Sequence, residues 1–203
     1  MKRFFVLMPL LGVAAFLLFS APVFNDSGGN DEYKTRAQEA AQSFMSQLQG
    51  VLMAELREGG PVQALSVCAD TAQALTRSAA DELGVSIKRV SDRVRNTENR
   101  PDEYEKKILE KFAQMHREGQ EPPFIHTGER TIDGQNEFWY IQSIHLQAQC
   151  IGCHGDEAGI AENVRTLLRE KYPGDKATGY KPGDFRGAIR VSFPVSTHEE
   201  EDL

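Results

Sequence analysis

Basic residues are in the minority in this chain. Its 203 residues include 23 Lys and Arg against 30 Asp and Glu, so the formal net charge is −7. Because proteins bind nucleic acid mainly by neutralising its phosphates with Lys and Arg, we do not expect a nucleic-acid partner. Internal repeats are lacking too, and a chain of this length supplies one ordinary hydrophobic core. We therefore expect a single domain, followed over residues 197–203 by an acidic tail that is a solvated end.

Charge is missing from one stretch near the N-terminus. Lys2 and Arg3 precede an uncharged apolar run that can be followed for 21 residues, and a polar segment begins at Asn25. A basic start, an apolar run and a polar exit are typical of an export signal, and 21 residues are also enough to cross a bilayer once. We predict that residues 1–24 are a signal peptide or an N-terminal membrane anchor. The rest of the chain is then periplasmic or lies on the outer face of the cytoplasmic membrane.

Hydrophobic periodicity predicts helices and strands in mixed order over the domain, residues 33–196. Steps of three and four residues indicate helices, and alternation indicates strands. The predicted helices are 33–57, 61–79, 101–115 and 160–172, and the predicted strands are 85–90, 124–132, 138–146 and 187–195. Helices that precede and interrupt strands joined by hairpins favour an α+β domain with an antiparallel sheet and a long N-terminal helix.

Cysteine is scarce, and two of the three cysteines lie in one motif. Residues 150–154 read Cys-Ile-Gly-Cys-His, the C-x-x-C-H pattern in which two thiols attach haem and the adjacent histidine ligates its iron. One short turn has to present both sulfurs along one porphyrin edge and direct the imidazole to the iron. The signal is strong in an exported chain, because c-type haem is attached outside the cytoplasm. We predict one covalent haem c, bound through Cys150 and Cys153 and ligated by His154.

Three other interpretations of the motif compete. A redox dithiol of the thioredoxin type requires a strand before the motif and a helix directly after it, and Gly155-Asp156 interrupts here. A zinc site built from the three cysteines and a histidine reaches four ligands, but adjacent Cys153 and His154 are difficult to direct at one small ion. A structural disulfide across so short a loop removes little chain entropy.

Methionine is missing from the chain after residue 115. Small electron-carrier cytochromes place their haem motif near the N-terminus and a methionine ligand downstream, so that design is excluded. A four-helix cytochrome is disfavoured as well, because 49 residues that include a predicted strand follow His154. From pattern alone, Cys68 is equally well a ligand or a small buried hydrophobe on a helix face. The open choices for the second axial position are Cys68, His145, His126, His116 or no residue.

Five separated blocks of residues carry more information than the motif alone. They are Val67-Cys68-Ala69; Val90-Ser91 with Arg95-Asn96 and Asn99-Arg100-Pro101-Asp102; Cys150 to Gly155; Tyr172 to Tyr180; and Gly183 to Ala188. In this order they resemble the extracytoplasmic c-type haem domain family with a PAS-like fold, long catalogued as a domain of unknown function. The resemblance covers most of residues 35–195. One departure is Thr97, where the family tends to have proline, and it concerns the local turn rather than the haem.

The resemblance implies a PAS-like antiparallel sheet wrapped by helices and haem attachment at Cys150 and Cys153. It also implies His154 as one axial ligand and a cysteine of the early helix, here Cys68, as the other. We further expect the Arg95-Asn96 and 175–180 segments to fold over the haem and hold its propionates. The candidate donors are Arg95, Lys176, Tyr180 and Arg186.

A thiolate ligand favours ferric iron, so a Cys68 bond that breaks on reduction would turn the iron into a switch. We therefore expect a redox or diatomic-gas sensor or binding module that acts through a change of axial ligation and passes its signal to a separate downstream protein. The alternative is a periplasmic electron-transfer cytochrome that serves a redox partner protein. We assign no catalytic residues, because no distal acid–base constellation is evident in the sequence.

Overall fold

A computed structural model describes residues 27–195, which cover the predicted domain except for its last residue. The predicted signal or anchor, residues 1–24, and the acidic tail, residues 197–203, lie outside the described residues. Between residues 27 and 195, no helix is long and apolar enough to cross a membrane. The helices are α1 Ser27–Ser66, α2 Ala72–Leu83, α3 Glu103–Arg117, α4 Ile151–His154 and α5 Glu162–Lys171. The strands are β1 Ser86–Val90, β2 Ile125–Ile132, β3 Gln135–His145 and β4 Phe185–Pro194.

Helix α1 is bent where the sequence predicts a break between two helices. Gly60 has φ 71° and ψ −169°, outside the helical region, and Pro61 follows it. Glycine adopts a positive φ at little cost, and proline fits the first turn of a new helical segment. The helix therefore changes direction at residue 60, and its second segment leads into a π-helical turn, Val67–Thr71, before α2 begins.

The four strands form one antiparallel sheet in the order β1-β4-β3-β2. Asp133 and Gly134 connect β2 to β3, and both have positive φ, 50° and 83°. Two consecutive positive φ values are typical of the two-residue hairpin turn whose twist matches the adjoining strands. Ile132 pairs directly with Gln135, so Gln135 and Asn136, whose assignment the sequence leaves open, belong to the strand.

Both faces of the sheet are covered by helices. Alternate residues of β3 and β4, such as Tyr140 and Val191, pack with apolar residues of α1 and α2. The intervening residues, such as Trp139 and Ile141, pack against α3. This alternation follows from the pleat, because successive side chains of a strand point to opposite faces. The α+β class, the antiparallel sheet and the long N-terminal helix are confirmed.

Helix α3 begins with a reciprocal capping arrangement. The Asp102 carboxylate accepts a hydrogen bond from the Glu105 backbone N–H at 2.7 Å, and the Glu105 carboxylate accepts one from the Asp102 N–H at 2.8 Å. These two contacts satisfy backbone donors that a helix N-terminus otherwise leaves free. The buried Glu105 side chain also pairs with Lys88 of β1 at 2.7 Å, which ties α3 to the sheet.

Candidate functional site

Most of the predicted site residues line one cavity at the end of the sheet, on the α1 side. The cavity encloses about 1260 Å³ of space between atoms, including solvent at its mouth. Its lining is mostly apolar, with a wall of Met and Leu side chains from α1, and the sheet contributes Ile144 and Gly187. All three cysteines, His154 and three arginines line the same cavity: Arg89, Arg95 and Arg186. The cavity therefore has an apolar wall and a cationic part.

The C-x-x-C-H motif forms one compact turn of chain. Cys150 ends a short 3₁₀ turn, and α4 carries Cys153 and His154 within the next four residues. A Cβ added at Gly155 would lie 2.7 Å from the Ile151 carbonyl oxygen, so only glycine lets the chain leave α4 so sharply. The structure thus brings Cys150, Cys153 and His154 together at the cavity. Their role as haem-binding residues stays a prediction.

The His154 ring is held in a single protonation state by its surroundings. Its Nδ1 lies 2.7 Å from the Ala177 carbonyl oxygen, which only accepts, so Nδ1 carries the hydrogen. Burial lowers the pKa of His154 to about 3, and the nearby charges of Arg95 and Arg186 act in the same direction. The ring is therefore neutral and has its lone pair on Nε2. A histidine that ligates metal through one nitrogen commonly donates the other N–H to a carbonyl in this way.

Arg95 connects the motif to the 175–180 segment. Its guanidinium pairs with the Asp175 carboxylate at 2.9 Å and donates to the Cys153 carbonyl at 2.6 Å and the Ala177 carbonyl at 3.3 Å. The side chains of this pair are 8% and 11% exposed. Arg95 Nη1 also lies 3.5 Å from His154 Nε2. One buried guanidinium therefore fixes the backbone on both sides of the histidine.

Cys68 lies in the π-helical turn that follows α1. Burial raises the pKa of the Cys68 thiol, while the charges of Arg89 and Arg95 oppose that rise. Tyr172 donates a hydrogen bond from its hydroxyl to the Cys68 carbonyl at 3.1 Å, which pins the turn from the far end of α5. Single π turns are rare and often occur at functional sites, because they shift one side chain out of the regular helical register. Cys68 and Cys153 share an apolar cluster, so the structure brings this predicted ligand to the motif.

The remaining predicted propionate donors have different positions. Arg186 lines the cavity and donates to the Ser91 hydroxyl. Tyr180 is buried behind the motif: its N–H donates to the His154 carbonyl at 2.9 Å, and its ring meets the histidine ring edge-on at 6.4 Å. Lys176 is exposed, and its side chain does not line the cavity. The backbone of Lys176 contacts Val94 instead.

Each of the three histidines considered as alternatives to Cys68 contacts other side chains or backbone groups. His145 lines the cavity, but its Nδ1 contacts the Gly183 carbonyl at 3.1 Å and its Nε2 the Ser143 hydroxyl at 3.2 Å. The His116 ring contacts the His145 ring at a tilt of 56°, with centroids 5.5 Å apart, and His116 lines a different pocket. His126 is hydrogen-bonded to the Tyr104 hydroxyl at 2.7 Å. Cys68 differs from these histidines. Its sulfur is at the cavity and makes no hydrogen bond in the described structure.

Arg89 is a site residue that the sequence did not single out. It follows Ile87 in the alternation of β1 and pairs with Ile189 of β4, so its side chain lies on the face covered by α1. Burial lowers the pKa of Arg89, and the nearby Cys68 and Tyr172 groups oppose that effect. The sequence did contain a signal for this role. The alternation of residues 85–90 places a charged residue at a strand position that faces inward.

Within residues 27–195 there is no group of three or more His, Cys, Asp or Glu side chains placed so that they could share one metal ion. The three cysteines are all free thiols. Neither the four-ligand zinc arrangement nor the short-loop disulfide considered from the sequence is therefore present among the described residues.

Comparison with known proteins places the chain in a family. The model of the Tll0287-like family matches residues 30–194, so the chain belongs to that family. The crystal structure of the cyanobacterial haem protein Tll0287 is similar to this chain, with a TM-score of 0.54 and 22% sequence identity over 77% of this chain and 93% of that one. None of the curated proteins matches this chain. The family resemblance drawn from the five sequence blocks is confirmed, and the structural match independently shows the same fold.

Proposed function

We propose that the chain is a haem-binding protein that carries one haem c, attached through Cys150 and Cys153 and ligated by His154. The observation that carries the proposal is the neutral His154 ring, whose Nδ1–H is donated to the Ala177 carbonyl at 2.7 Å. This contact leaves Nε2 as an electron-pair donor beside two free thiols on the same turn. The similarity to a protein described as a haem protein supports the same cofactor.

The cavity suits a flat, amphipathic molecule with two carboxylates. Its apolar wall from α1 matches a macrocycle, and its arginines match the carboxylates. Charged groups seldom line an apolar cavity without a partner. An unpaired buried charge destabilises the fold by an amount on the order of several kcal/mol. The residues that are present therefore fit haem in both polarity and charge.

Cys68 is the proposed second axial ligand. It lines the same cavity as His154 and belongs to a different element, the π-helical turn. A bound haem supplies one-electron redox chemistry and an axial position that exchanges ligands. The Cys68 sulfur donates most strongly as a thiolate, and this donation favours the ferric state. Tyr172 holds the turn through the Cys68 carbonyl rather than through the sulfur, so this contact does not engage the sulfur.

The function that we infer is a redox or diatomic-gas sensor or binding module in which Cys68 leaves the sixth position on reduction. Its support is the position of Cys68 in a π turn beside a cavity large enough to admit a small ligand. A downstream signalling protein or a redox partner would read the change. We further propose that the protein acts in the periplasm or at the outer face of the cytoplasmic membrane, which agrees with the basic and apolar start of the sequence. The second candidate function is an electron-transfer cytochrome, in which Cys68 stays bound in both oxidation states.

Carbon monoxide binding to the ferrous protein distinguishes the two functions. If the protein is a sensor, the Cys68 sulfur has already left the iron in the ferrous state. We therefore expect the wild type to bind carbon monoxide at a rate within a few fold of the rate for Cys68→Ala. We expect Cys68→Ala also to keep covalent haem and to change the ferric absorption spectrum. Val67→Ala is the matched control, because it shortens a buried side chain in the same turn without removing a donor atom.

Wild-type protein that binds carbon monoxide far more slowly than Cys68→Ala would contradict the sensor and support the carrier. Ferric spectra that are identical for the wild type and Cys68→Ala would exclude Cys68 as a ligand.

A further inference from the structure

Arg89 has a donor atom without a partner in the wall of the cavity. Its Nε is buried and makes no hydrogen bond in the described structure, and the side chain lines the cavity beside Cys68. Leaving a buried donor without a hydrogen-bond acceptor destabilises the folded chain, and more so when the group is charged. An arginine in this position therefore indicates a missing partner rather than a packing role.

The other two cavity-lining arginines are already engaged. Arg95 is paired with Asp175 and donates to two backbone carbonyls. Arg186 donates to the Ser91 hydroxyl, which in turn donates to the Arg186 carbonyl at 2.8 Å. Among the arginines that line this cavity in the described residues, only Arg89 has a buried nitrogen without a partner. No group of the described residues accepts a hydrogen bond from Arg89 Nε, so a ligand that enters the cavity can supply the acceptor.

The chemistry of the cavity narrows the class of that group. A guanidinium is a planar fork of donors that matches a carboxylate in a bidentate manner. The wall that α1 contributes, with Leu48, Leu52 and Leu56, is apolar, so the ligand must also present a large apolar surface. An amphipathic molecule with an anionic carboxylate satisfies both conditions.

We propose that Arg89 binds a carboxylate of the haem in this cavity, a role that neither the motif nor the family resemblance assigned to it. The inference rests on the proposed function, because the carboxylate is a haem propionate. It also revises the expectation for the propionate donors, since Lys176 is exposed and Arg95 is committed to Asp175. Arg89 is a positioning residue: it orients the ring edge and neutralises charge, and it makes no bond to the iron.

The competing role for Arg89 is to pair with the Cys68 thiolate, whose charge it is near enough to affect. The two roles differ in whether the partner of Arg89 depends on Cys68. A carboxylate partner is present whether or not residue 68 has a sulfur, whereas a thiolate partner disappears in Cys68→Ala. A double-mutant cycle of Arg89 and Cys68 therefore separates them, because independent sites give additive effects.

The experiment compares Arg89→Gln and Arg89→Lys with the wild type and with the exposed control Arg169→Gln, all carrying covalent haem. At a fixed ambient potential we expect Arg89→Gln to lower the ratio of ferrous to ferric protein roughly tenfold, which is the effect of one unit charge over a distance on the order of 10 Å at an effective dielectric constant of about 20. The direction follows because reduction adds negative charge that Arg89 stabilises. The carboxylate bands in redox-difference infrared spectra should shift, and the axial-ligand absorption bands should not.

Arg89→Lys should retain most of the redox ratio but still shift the carboxylate bands, since lysine keeps the charge and loses the planar fork. The redox effect of Arg89→Gln should be the same size in the Cys68→Ala background, and Arg169→Gln should match the wild type. If Arg89→Gln does not fold, the infrared bands of Arg89→Lys decide the question.

Unshifted carboxylate bands in both Arg89 variants would overturn the proposal, as would a redox effect that vanishes with Cys68. Either result leaves the haem in place and rejects only the role of Arg89. A wild-type chain that holds no covalent haem rejects the proposed function itself, together with this inference.

Discussion

At the scale of single residues, the site depends on side chains that act through backbone carbonyls. Ala177 accepts from His154 Nδ1 and also from Arg95, while the Cys153 carbonyl accepts from the same guanidinium. Arg95 therefore sets where the histidine ring can lie. It does so without forming hydrogen bonds to the sulfur atoms of the cavity. Asp175 supplies the compensating charge at 2.9 Å.

Removal of one member of the Arg95–Asp175 pair should be strongly destabilising. We expect Arg95→Gln to lower the free energy of unfolding by roughly 3–5 kcal/mol, because it leaves a buried carboxylate without its counter-charge. Urea unfolding measures the change. The double variant with Asp175→Asn should lose less than the sum of the two single variants, since it leaves neither charge buried alone.

The exposed control Arg169→Gln should stay within about 0.5 kcal/mol of the wild type. If Arg95→Gln is as mild as that control, the buried pair does not stabilise the site.

The sequence predicts the residues of the site that lie in one local motif. Cys150, Cys153 and His154 are adjacent in the chain, so their spacing alone indicates their chemistry. The partner of the histidine is Ala177, whose backbone carbonyl oxygen accepts the hydrogen bond. The identity of its side chain therefore does not reveal the contact. Arg89 shows the same limit in another form: its strand position is visible in the sequence, but its missing partner is a property of the folded cavity.

At the scale of the elements, helix α3 shows how a local signal fixes a boundary. Asp102 is the N-cap of α3 and also pairs with Arg130 of β2 at 3.3 Å. Partial burial raises the pKa of Asp102, but the hydrogen bond from the Glu105 N–H and the contacts with Arg130 outweigh it, so the pKa lies below its ordinary value. The ionised carboxylate is therefore the form that stabilises the fold.

The effect of Asp102→Ala should depend on pH. A carboxylate whose folded-state pKa is depressed contributes stability above its unfolded pKa, about 3.9, and that contribution is lost as the pH falls through the folded value. We expect Asp102→Ala to lower the free energy of unfolding by about 1 kcal/mol at pH 7, the usual size for loss of an N-cap, and by less in acid.

Asp102→Asn keeps the cap without the charge, so it should lose less than Asp102→Ala at pH 7. Urea unfolding at several pH values tests both variants. A loss for Asp102→Ala that stays constant from pH 7 down to pH 3 would show that the ionised cap is not the cause.

Element types were predictable because their periodicity is strong, while irregular turns were not. The four strands and helices α1, α2, α3 and α5 lie where the apolar pattern indicated, and the break at Gly60 was visible as a Gly-Gly-Pro sequence. The π turn at Val67–Thr71 has no periodic signal, because it inserts a residue into an otherwise regular helix. The proposed site includes this turn, since it carries Cys68.

At the scale of the whole molecule, the site is assembled from segments that are distant in the sequence. Residue 68 follows α1, residue 89 lies in β1, the motif follows β3, and the 175–180 segment precedes β4. The backbone contacts from Gly179 to Gly155 at 2.6 Å and from Lys176 to Val94 at 3.0 Å hold the 175–180 segment against the motif and against the chain that follows β1. Periodicity does not predict such contacts, and it was the family resemblance that favoured Cys68 over the other candidates for a place beside the motif.

The antiparallel sheet explains why one end of the molecule forms the site. Its order, β1-β4-β3-β2, puts β3 and β4 at the centre and directs the chain after His145 into the motif. Gly187 in β4 has a φ of 151°, and a Cβ there would lie 2.3 Å from the Val90 carbonyl oxygen. The floor of the cavity is therefore a place where β1 and β4 approach closely.

The most direct test of the central claim is the intact mass of the denatured protein after co-expression with c-type maturation machinery. Mass spectrometry in acid reports only groups that are covalently attached. We predict the mass of the chain plus one haem for the wild type and for Cys68→Ala, and the mass of the chain alone when both Cys150 and Cys153 are alanine. A wild-type chain that carries no added haem mass under these conditions would contradict the account.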